Sequence, residues 1–486
     1  MHASILLPLL IIIPVFFALL AKWISRTLEW MLIGVTLTLG IAFFLTFTMV
    51  STNQVIYSFS RWLFLDHLSA YYLFMMILVF WMSSLYSLIY FKKSDLSASS
   101  LSTFSMLWLL SMSAVMLVLL SNHVVLIWVG LEATTVFTTF LIALHQSKKS
   151  LEAMWKYLII CSLGVAFALI GTILLAASTH GLDHNMENVL LWTNLKTHAT
   201  LLDTSLLKIA FIFIFVGYGT KSGLAPMHTW LPDAHSQAPS PVSAFFSGFM
   251  INTGIYCIAR FIPIIEAATK HSGFALQFVG IMGAISIMLA AIFIFFQTDL
   301  KRLLAYSSVE HMGIIALGLG LGGVGTSVAL FHSLNHSVCK TLSFFSAGRI
   351  GQIYETHDMK SISSTINVNP VWGVGLLVGL LALIGMAPFS IFMSELQLIK
   401  VAVGTRSWLY LVVFLVGTSI VFIGILRQAI GMSFGKIKGG TVEIGKPVEY
   451  ILVILLVIII AGLGVFMPES LWGFILKAAS VVNGVK

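Results

Sequence analysis

Apolar residues in this chain come in long runs rather than stripes. Stretches able to cross a bilayer, which takes about 20 residues of helix, fall near 3–21, 29–49, 67–91, 102–120, 123–144, 153–177, 204–229, 241–262, 274–296, 302–320, 325–348, 370–402, 408–430 and 449–467. The pattern predicts an all-α polytopic membrane protein of about fourteen transmembrane helices. Two of the runs are interrupted, 204–229 at Pro226 and 370–402 at Pro388, and each reads as one discontinuous helix. Proline removes a backbone donor and frees a carbonyl, which membrane depth tolerates only against protein or a hydrated cavity. The weak alternation of QVIYSFSRWLF at 54–64 reads as an external hairpin.

The interruptions repeat. Gly223-Leu-Ala-Pro226 recurs as Gly385-Met-Ala-Pro388, each near an ionisable residue, Lys221 and Glu395. Five span-to-span steps separate them, and an odd number of steps reverses orientation. Residues 102–262 and 274–430 are therefore expected to form two inverted five-helix repeats, between N-terminal helices in 1–101 and a last span with its tail in 431–486. Paired Gly/Pro interruptions in corresponding halves are a sequence pointer to a transport site.

Composition sharpens the class. Hydrophobic residues make up 59% of the 486 and charged residues 9%, with mean hydropathy +1.02, whereas a soluble domain carries about 25% charged residues. The net charge of +8 comes without a basic run, so it points to positively charged loops and not to nucleic acid. Placing both termini outside gathers Lys22 and Arg26, Lys92 and Lys93, Lys148 and Lys149, Lys301 and Arg302, and Arg349 with Lys438 on the cytoplasmic side of the cell inner membrane. The acidic loop 178–203, with Asp183, His184, Glu187 and Asp203, then faces outward, opposite the basic loops and with the tail lysines Lys477 and Lys486. The first run has its positive charges after it, which reads as a retained span and not a cleaved leader. Cys161, Cys257 and Cys339 form no CxxC pair and read as core thiols.

Against this background the buried charges stand out: Glu132, Lys156, Lys208, Lys221, Glu310, Lys340 and Glu395, with His332 and His336. At a helix centre each costs roughly 2.5–3.5 kcal/mol on insertion scales, so such residues usually serve a path for ions. Lys156 and Lys208 lie close enough to helix ends to snorkel. Glu132 sits mid-span and needs a partner, for which Lys221 is the natural candidate, either as a working pair or as a purely structural one. His332, His336 and Lys340 are spaced i, i+4, i+8, one helix stripe of about 12 Å, suited either to proton relay or to a hydrogen-bonded helix contact. Two histidines at i, i+4 lack the further ligands of a zinc site, so no metal is expected. Glu395 is either the outlet of such a relay or a carboxylate capping the freed backbone. Asp233-Ala-His235 and Asp299-Leu-Lys-Arg302 read as solvated loop charges.

Several strings then converge: WVGLEATTVF, GTKSGLAPMHTWLPDAHSQAPSPVSA, DLKRLLAYSSVEHMG, FHSLNHSVCKTLSFFSAG and GMAPFSIFMSE. They resemble the antiporter-like membrane subunits shared by respiratory complex I, multisubunit cation/proton antiporters and energy-converting hydrogenases. SLEAMWKYLIICSLG and AYSSVEHMGIIALG are most similar to the F-type membrane subunit of hydrogenase 4 and formate hydrogenlyase-like complexes. The resemblance implies that Glu132 and Lys221 form the family's glutamate–lysine pair, that Lys340 is its central-axis lysine flanked by His332 and His336, and that Glu395 is its exit residue. Some relatives use lysine at that last position. The run SGFMINTGIYCIAR lacks a histidine that some members carry, which leaves Ser247 or Asn252 with water to link Lys221 to Lys340; the accessory candidates are Lys156, Lys208, Ser247, Asn252 and Glu310.

The resulting expectation is a proton-translocating membrane subunit of a multisubunit redox-driven complex, partnered by other membrane subunits and a peripheral redox arm. No nucleotide loop, flavin or iron–sulfur motif occurs, so the chain is expected to hold no cofactor and to catalyse no redox step alone. The alternatives are a cation/proton antiporter subunit and an energising partner for inorganic-carbon uptake.

Overall fold

Because lipid cannot satisfy backbone groups, the runs fold as helices that bond internally. The computed structural model describes residues 2–180, 189–437 and 442–484. Asp183, His184 and Glu187 of the acidic loop, and Lys438 and Lys486, lie outside the described residues. The main helices are α1 (His2–Leu20), α2 (Thr27–Thr52), α3 (His67–Phe91), α4 (Ala98–Leu120), α5 (Val124–Ile142), α6 (Lys148–Ala177), α7 (Thr204–Ser222) and α8 (Trp230–Gln237). They continue with α9 (Ser240–Ala268), α10 (Phe274–Phe295), α11 (Leu300–Leu321), α12 (Val324–Tyr354), α13 (Pro370–Leu383), α14 (Ser390–Gly404), α15 (Trp408–Ser433), α16 (Pro447–Val465) and α17 (Glu469–Val482). Between α2 and α3, Ile56–Ser58 and Leu63–Leu65 pair antiparallel, with Tyr57 opposite Phe64, so the 54–64 segment is a hairpin.

Among the described residues, twelve helices are long and apolar enough to cross a membrane. Two further expected crossings differ for different reasons. The 31-residue α12 is long enough but too polar, and nearly every residue from Gly325 to Ile353 is buried in the bundle. A helix with no lipid-facing surface can carry serines, histidines and a lysine where an outer helix cannot. The other expected crossing, 370–402, is the half-helix pair α13 and α14.

Both interruptions are built alike. Gly223 and Gly385 take φ of 71° and 66°, which only glycine adopts without strain. Each ends its helix in a Schellman motif: Leu224 N–H reaches Gly219 O and Gly223 N–H reaches Thr220 O, while Met386 N–H reaches Leu381 O and Gly385 N–H reaches Ala382 O. The freed backbone is then satisfied by neighbours. Ser286 Oγ of α10 accepts from Ala225 N–H at 2.9 Å, and Asn335 Nδ2 of α12 donates to Ser390 O at 2.9 Å. The first discontinuous helix runs further than expected, because α8 resumes at Trp230 and continues to Gln237.

Helices α9 and α11 are almost wholly enclosed, and α12 packs against both, whereas α1, α6, α15 and α16 keep much of their surface outward. Within α9, residues Phe246–Met250 form a π-helical turn, a feature common at functional sites.

Beyond α12, His357 packs on Gly351, where an added Cβ would lie 2.0 Å from its ring. Burial, with Lys301 nearby, pushes this imidazole down to about 3. The unfolded segment titrates near pH 6.5, so it takes up a proton there while the packed form does not, and stability falls as pH drops below about 6.5. Protection factors around residues 355–363, taken from exchange rates corrected for the intrinsic rate at each pH, are expected to fall on acidification in the wild type and to stay flat in His357→Gln; an equal fall in both would refute the assignment.

Candidate functional site

Lys221 is the last but one residue of α7, fully buried beside the first break. Its Nζ donates to Thr135 Oγ1 of α5 at 3.0 Å and to Tyr157 OH of α6 at 2.7 Å, with Tyr157 bonded on to Thr138 at 2.7 Å. Glu132 takes a different partner, accepting from Ser162 Oγ at 2.8 Å, while its second oxygen is buried with no partner. The expected direct Glu132–Lys221 ion pair is therefore absent, and hydroxyls of α5 and α6 occupy the space around both groups. A lone hydroxyl offsets less of a carboxylate's desolvation than a cation does, so Glu132 is poorly satisfied where it stands.

From the break, α8 runs toward the second half of the chain. Trp230 Nε1 donates to Thr220 O at 2.9 Å and its ring lies 4.9 Å from Tyr157. One turn on, Asp233 bridges two helices, bonding Lys156 of α6 at 3.2 Å and Arg302 of α11. Lys156 also pairs with Glu152 at 2.6 Å and is half exposed. Asp233 and Arg302 therefore belong to an interfacial ion network. His235 corrects the expectation more sharply. It is fully buried with both ring nitrogens unpartnered, and its ring stacks on Phe344 with centroids 5.2 Å apart. Lys301 is likewise 2% exposed, and its Nζ caps the end of α8 through Ala238 O at 2.6 Å. Of the other accessory lysines, Lys208 is exposed and lies over the Phe274 ring.

Lys340 lies one turn from Phe344 on α12, fully buried, donating to Leu304 O at 2.7 Å and to Ser307 Oγ of α11. Next to Ser307, Ser308 shares a 2.7 Å hydrogen bond with Ser247 of the π-helical turn. Asn252 accepts from Ser333 Oγ at 2.7 Å and donates to Ser337 Oγ at 3.3 Å. Ser247 and Asn252 thus join α9 to both helices around Lys340, and neither reaches Lys221.

On the same α12 stripe, His336 has both nitrogens buried and unpartnered, with the His311 ring 5.2 Å away. His311 Nδ1 and His332 Nε2 are 3.0 Å apart, and His332 Nδ1 meets Ser394 Oγ at 2.9 Å. Ser394 precedes Glu395, whose Oε2 rests on Gly385 of the second break, 2.0 Å from where a Cβ would stand. Glu310 is 2% exposed and within electrostatic reach of Glu395 and Lys340. His311 was not anticipated; it neighbours Glu310 in an apolar run and escapes notice because only the facing α12 histidines give it a role. Among the described residues no cluster of His, Cys, Asp or Glu can hold a metal ion.

Residues 121–421 match the family described as NADH:quinone oxidoreductase/Mrp antiporter, transmembrane. The chain belongs to this family. The matched segment takes in both breaks and the candidate site residues from Glu132 to Glu395. The chain is a multi-pass membrane protein, 40% identical over 324 residues to the hydrogenase-4 component F homolog of Methylacidiphilum infernorum (isolate V4), covering 66% of this chain and 68% of that one. It is 33% identical over 344 residues to hydrogenase-4 component B of Escherichia coli (strain K12), with 68% of this chain covered, and spans 49% of that longer protein. A chain of the membrane-bound sulfane sulfur reductase, an archaeal respiratory membrane complex, has the same fold, with TM-score 0.88 at 24% identity over 99% of this chain and 98% of that one.

Proposed function

We propose that this chain is the proton-translocating membrane subunit of a multisubunit redox-driven complex of the hydrogenase-4 or complex I type. Its place is the cell inner membrane, with both termini outside, among other membrane subunits and beneath a peripheral redox arm. The observation that carries the reading is the row of ionisable groups through the bundle: Lys221, His235, Lys340, His336, His311, His332 and Glu310 are buried, Glu132 and Glu395 are partly buried, and Glu132, His235, Glu310, His311 and His336 each keep a polar atom without a partner.

Lys221 and Lys340 hold protons in sites built only of neutral oxygens. With no fixed anion bonded to it, each ammonium is poised to release its proton. Glu132 acts as the switch. Moving its carboxylate toward Lys221 stabilises the charged lysine, and moving it back to Ser162 destabilises that charge and drives the proton onward. His235, carried by α8 between the two lysines, supplies the link that the histidine-free α9 does not. From Lys340 the stripe of His336, His311 and His332 leads to Ser394 and Glu395 at the second break, where the half-helix ends open the outward route. Ser247 and Asn252 serve to fix α9 against α11 and α12.

Pumping by the purified complex in liposomes tests the path. Lys221→Ala and Glu395→Gln are each expected to abolish the proton gradient, and full gradients in both would refute the reading. His235→Phe preserves the stack on Phe344 but removes the imidazole, and is expected to slow pumping by roughly a hundredfold, the scale of a lost positioned acid–base group. A wild-type rate in that variant would return the link to water beside α9. The family description also covers Mrp antiporters, which favours a cation/proton antiporter subunit as second reading. Sodium-dependent proton flux without any redox substrate would select it.

A further inference from the structure

Helices α5 and α6 run antiparallel and are tied by two polar rungs. In one, Ser162 Oγ donates to Glu132 at 2.8 Å; in the other, Tyr157 OH and Thr138 Oγ1 share a hydrogen bond of 2.7 Å. Thr138 stands six positions beyond Glu132 on α5, roughly 9 Å along the axis at 1.5 Å per residue. Lys221, reaching in from α7, joins the second rung and not the first. Its Nζ donates to Tyr157 OH at 2.7 Å and to Thr135 Oγ1 at 3.0 Å.

The protons of the second rung have fixed directions. Thr138 Oγ1 donates its one hydrogen to Thr134 O at 2.6 Å, so in the shared bond the phenol is the donor. The Tyr157 oxygen is thereby left as an acceptor for the Lys221 ammonium. The ring is held as well: it is fully buried, with the Trp230 centroid of α8 4.9 Å away and that of Phe246, in the π-helical turn of α9, 5.9 Å away.

The backbone of α7 has little room to move. A Cβ on Gly217 would stand 2.6 Å from Gly164 O of α6, and one on Gly164 would stand 2.6 Å from Thr220 Cβ, so the two helices meet backbone to backbone. What is free to swing is the flexible four-carbon stem of Lys221. One helical turn from Thr135, Glu132 keeps a carboxylate oxygen with no partner. We infer that Tyr157 is a positioning residue that holds Lys221 off Glu132, its hydroxyl and the carboxylate competing for one ammonium. The inference rests on the proton path through Lys221 and adds what sets the switch in that path. Tyr157 itself stays a neutral phenol throughout and carries no proton onward.

The test is pumping by the purified complex in liposomes across a range of pH, with cryo-electron microscopy of the same variants. The titratable groups that bear on Lys221 are Glu132 of α5 and Cys161 and Tyr157 of α6. Tyr157→Phe removes the acceptor, keeps the ring packing and leaves Lys221 beside the unmet oxygen of Glu132. Pairing there stabilises the charged lysine, which then gives up its proton less readily. Pumping at neutral pH is therefore expected to slow about tenfold and to recover as pH rises, the profile moving about one unit to the alkaline side. In the structure of that variant, Lys221 Nζ is expected within ion-pair distance of Glu132. Thr138→Val takes away the acceptor that orients the phenol; it is expected to move the profile the same way by less, and carries the test alone if Tyr157→Phe does not assemble. A wild-type profile in whichever variant assembles would overturn the inference. So would slowing by the same factor at every pH, or a Lys221 still on Thr135 and apart from Glu132, since either reduces Tyr157 to packing. Lys221→Ala separates the two levels: a full gradient there removes the path itself, whereas a dead Lys221→Ala beside an unshifted Tyr157→Phe removes only the role of Tyr157.

Discussion

Lys340→Met is expected to abolish proton pumping, a loss of roughly a hundredfold or more, while leaving the complex folded and assembled. Lys340 is fully buried on α12 between His336 and the wall formed by His235 and Phe344, and only Leu304 O and Ser307 Oγ hold its ammonium. Methionine fills nearly the same volume without a charge, so it removes the desolvation cost along with the proton site, and stability should not fall. Arginine should not rescue, because a guanidinium keeps its proton at any working pH. The decisive comparison is therefore between assembly and pumping. An assembled Lys340→Met complex that still acidifies liposomes at the wild-type rate would remove Lys340 from the path.

The largest structural effect is expected at Arg260, where Arg260→Leu should cost about 3–5 kcal/mol. Arg260 and Asp66 meet in a bidentate pair at 2.5 and 2.6 Å, with a further bond from Arg260 to Ser69 Oγ at 2.7 Å. The guanidinium lies over Phe64, Trp192 and Tyr256, and Trp192 Nε1 donates to Arg260 O at 2.6 Å, so one residue of α9 gathers the hairpin, α3 and the 192–197 helix. Truncation strands a buried carboxylate. Adding Asp66→Asn should recover part of the loss, because a neutral amide costs less to leave buried and still caps α3 through Ser69 N–H. A thermal midpoint unchanged in Arg260→Leu would show that the pair contributes nothing.

How far these residues could be read in advance depends on the kind of constraint each obeys. Gly223-Leu-Ala-Pro226 and Gly385-Met-Ala-Pro388 were legible because a helix end is a local event: glycine for the positive φ, an apolar residue after it, then proline. Lys221, Lys340, His332 and His336 were legible because a charge or imidazole inside an apolar run is conspicuous wherever the helix turns. His235 was not, since Asp233 and two prolines made its surroundings look like a loop. Its signal lay in the helical spacing of Trp230, Leu231, Ala234 and His235, all of them buried on one side of α8. Arg260 stood near the end of its run, where positive residues usually mark the membrane edge.

The sequence by itself determined that the chain is a polytopic helical membrane protein, where two helices break, and that Glu132, Lys221, Glu310, Lys340, Glu395, His332 and His336 lie inside apolar runs. Hydropathy and backbone satisfaction act along one helix at a time, so a linear string carries them. Only the tertiary structure decided who faces whom: Glu132 on Ser162 and not on Lys221, Lys340 on Leu304 and Ser307, His332 between His311 and Ser394. An apolar run reads the same from every side, so nothing in it fixes the rotation of a helix about its axis. That rotation is set by packing against helices far away in the chain.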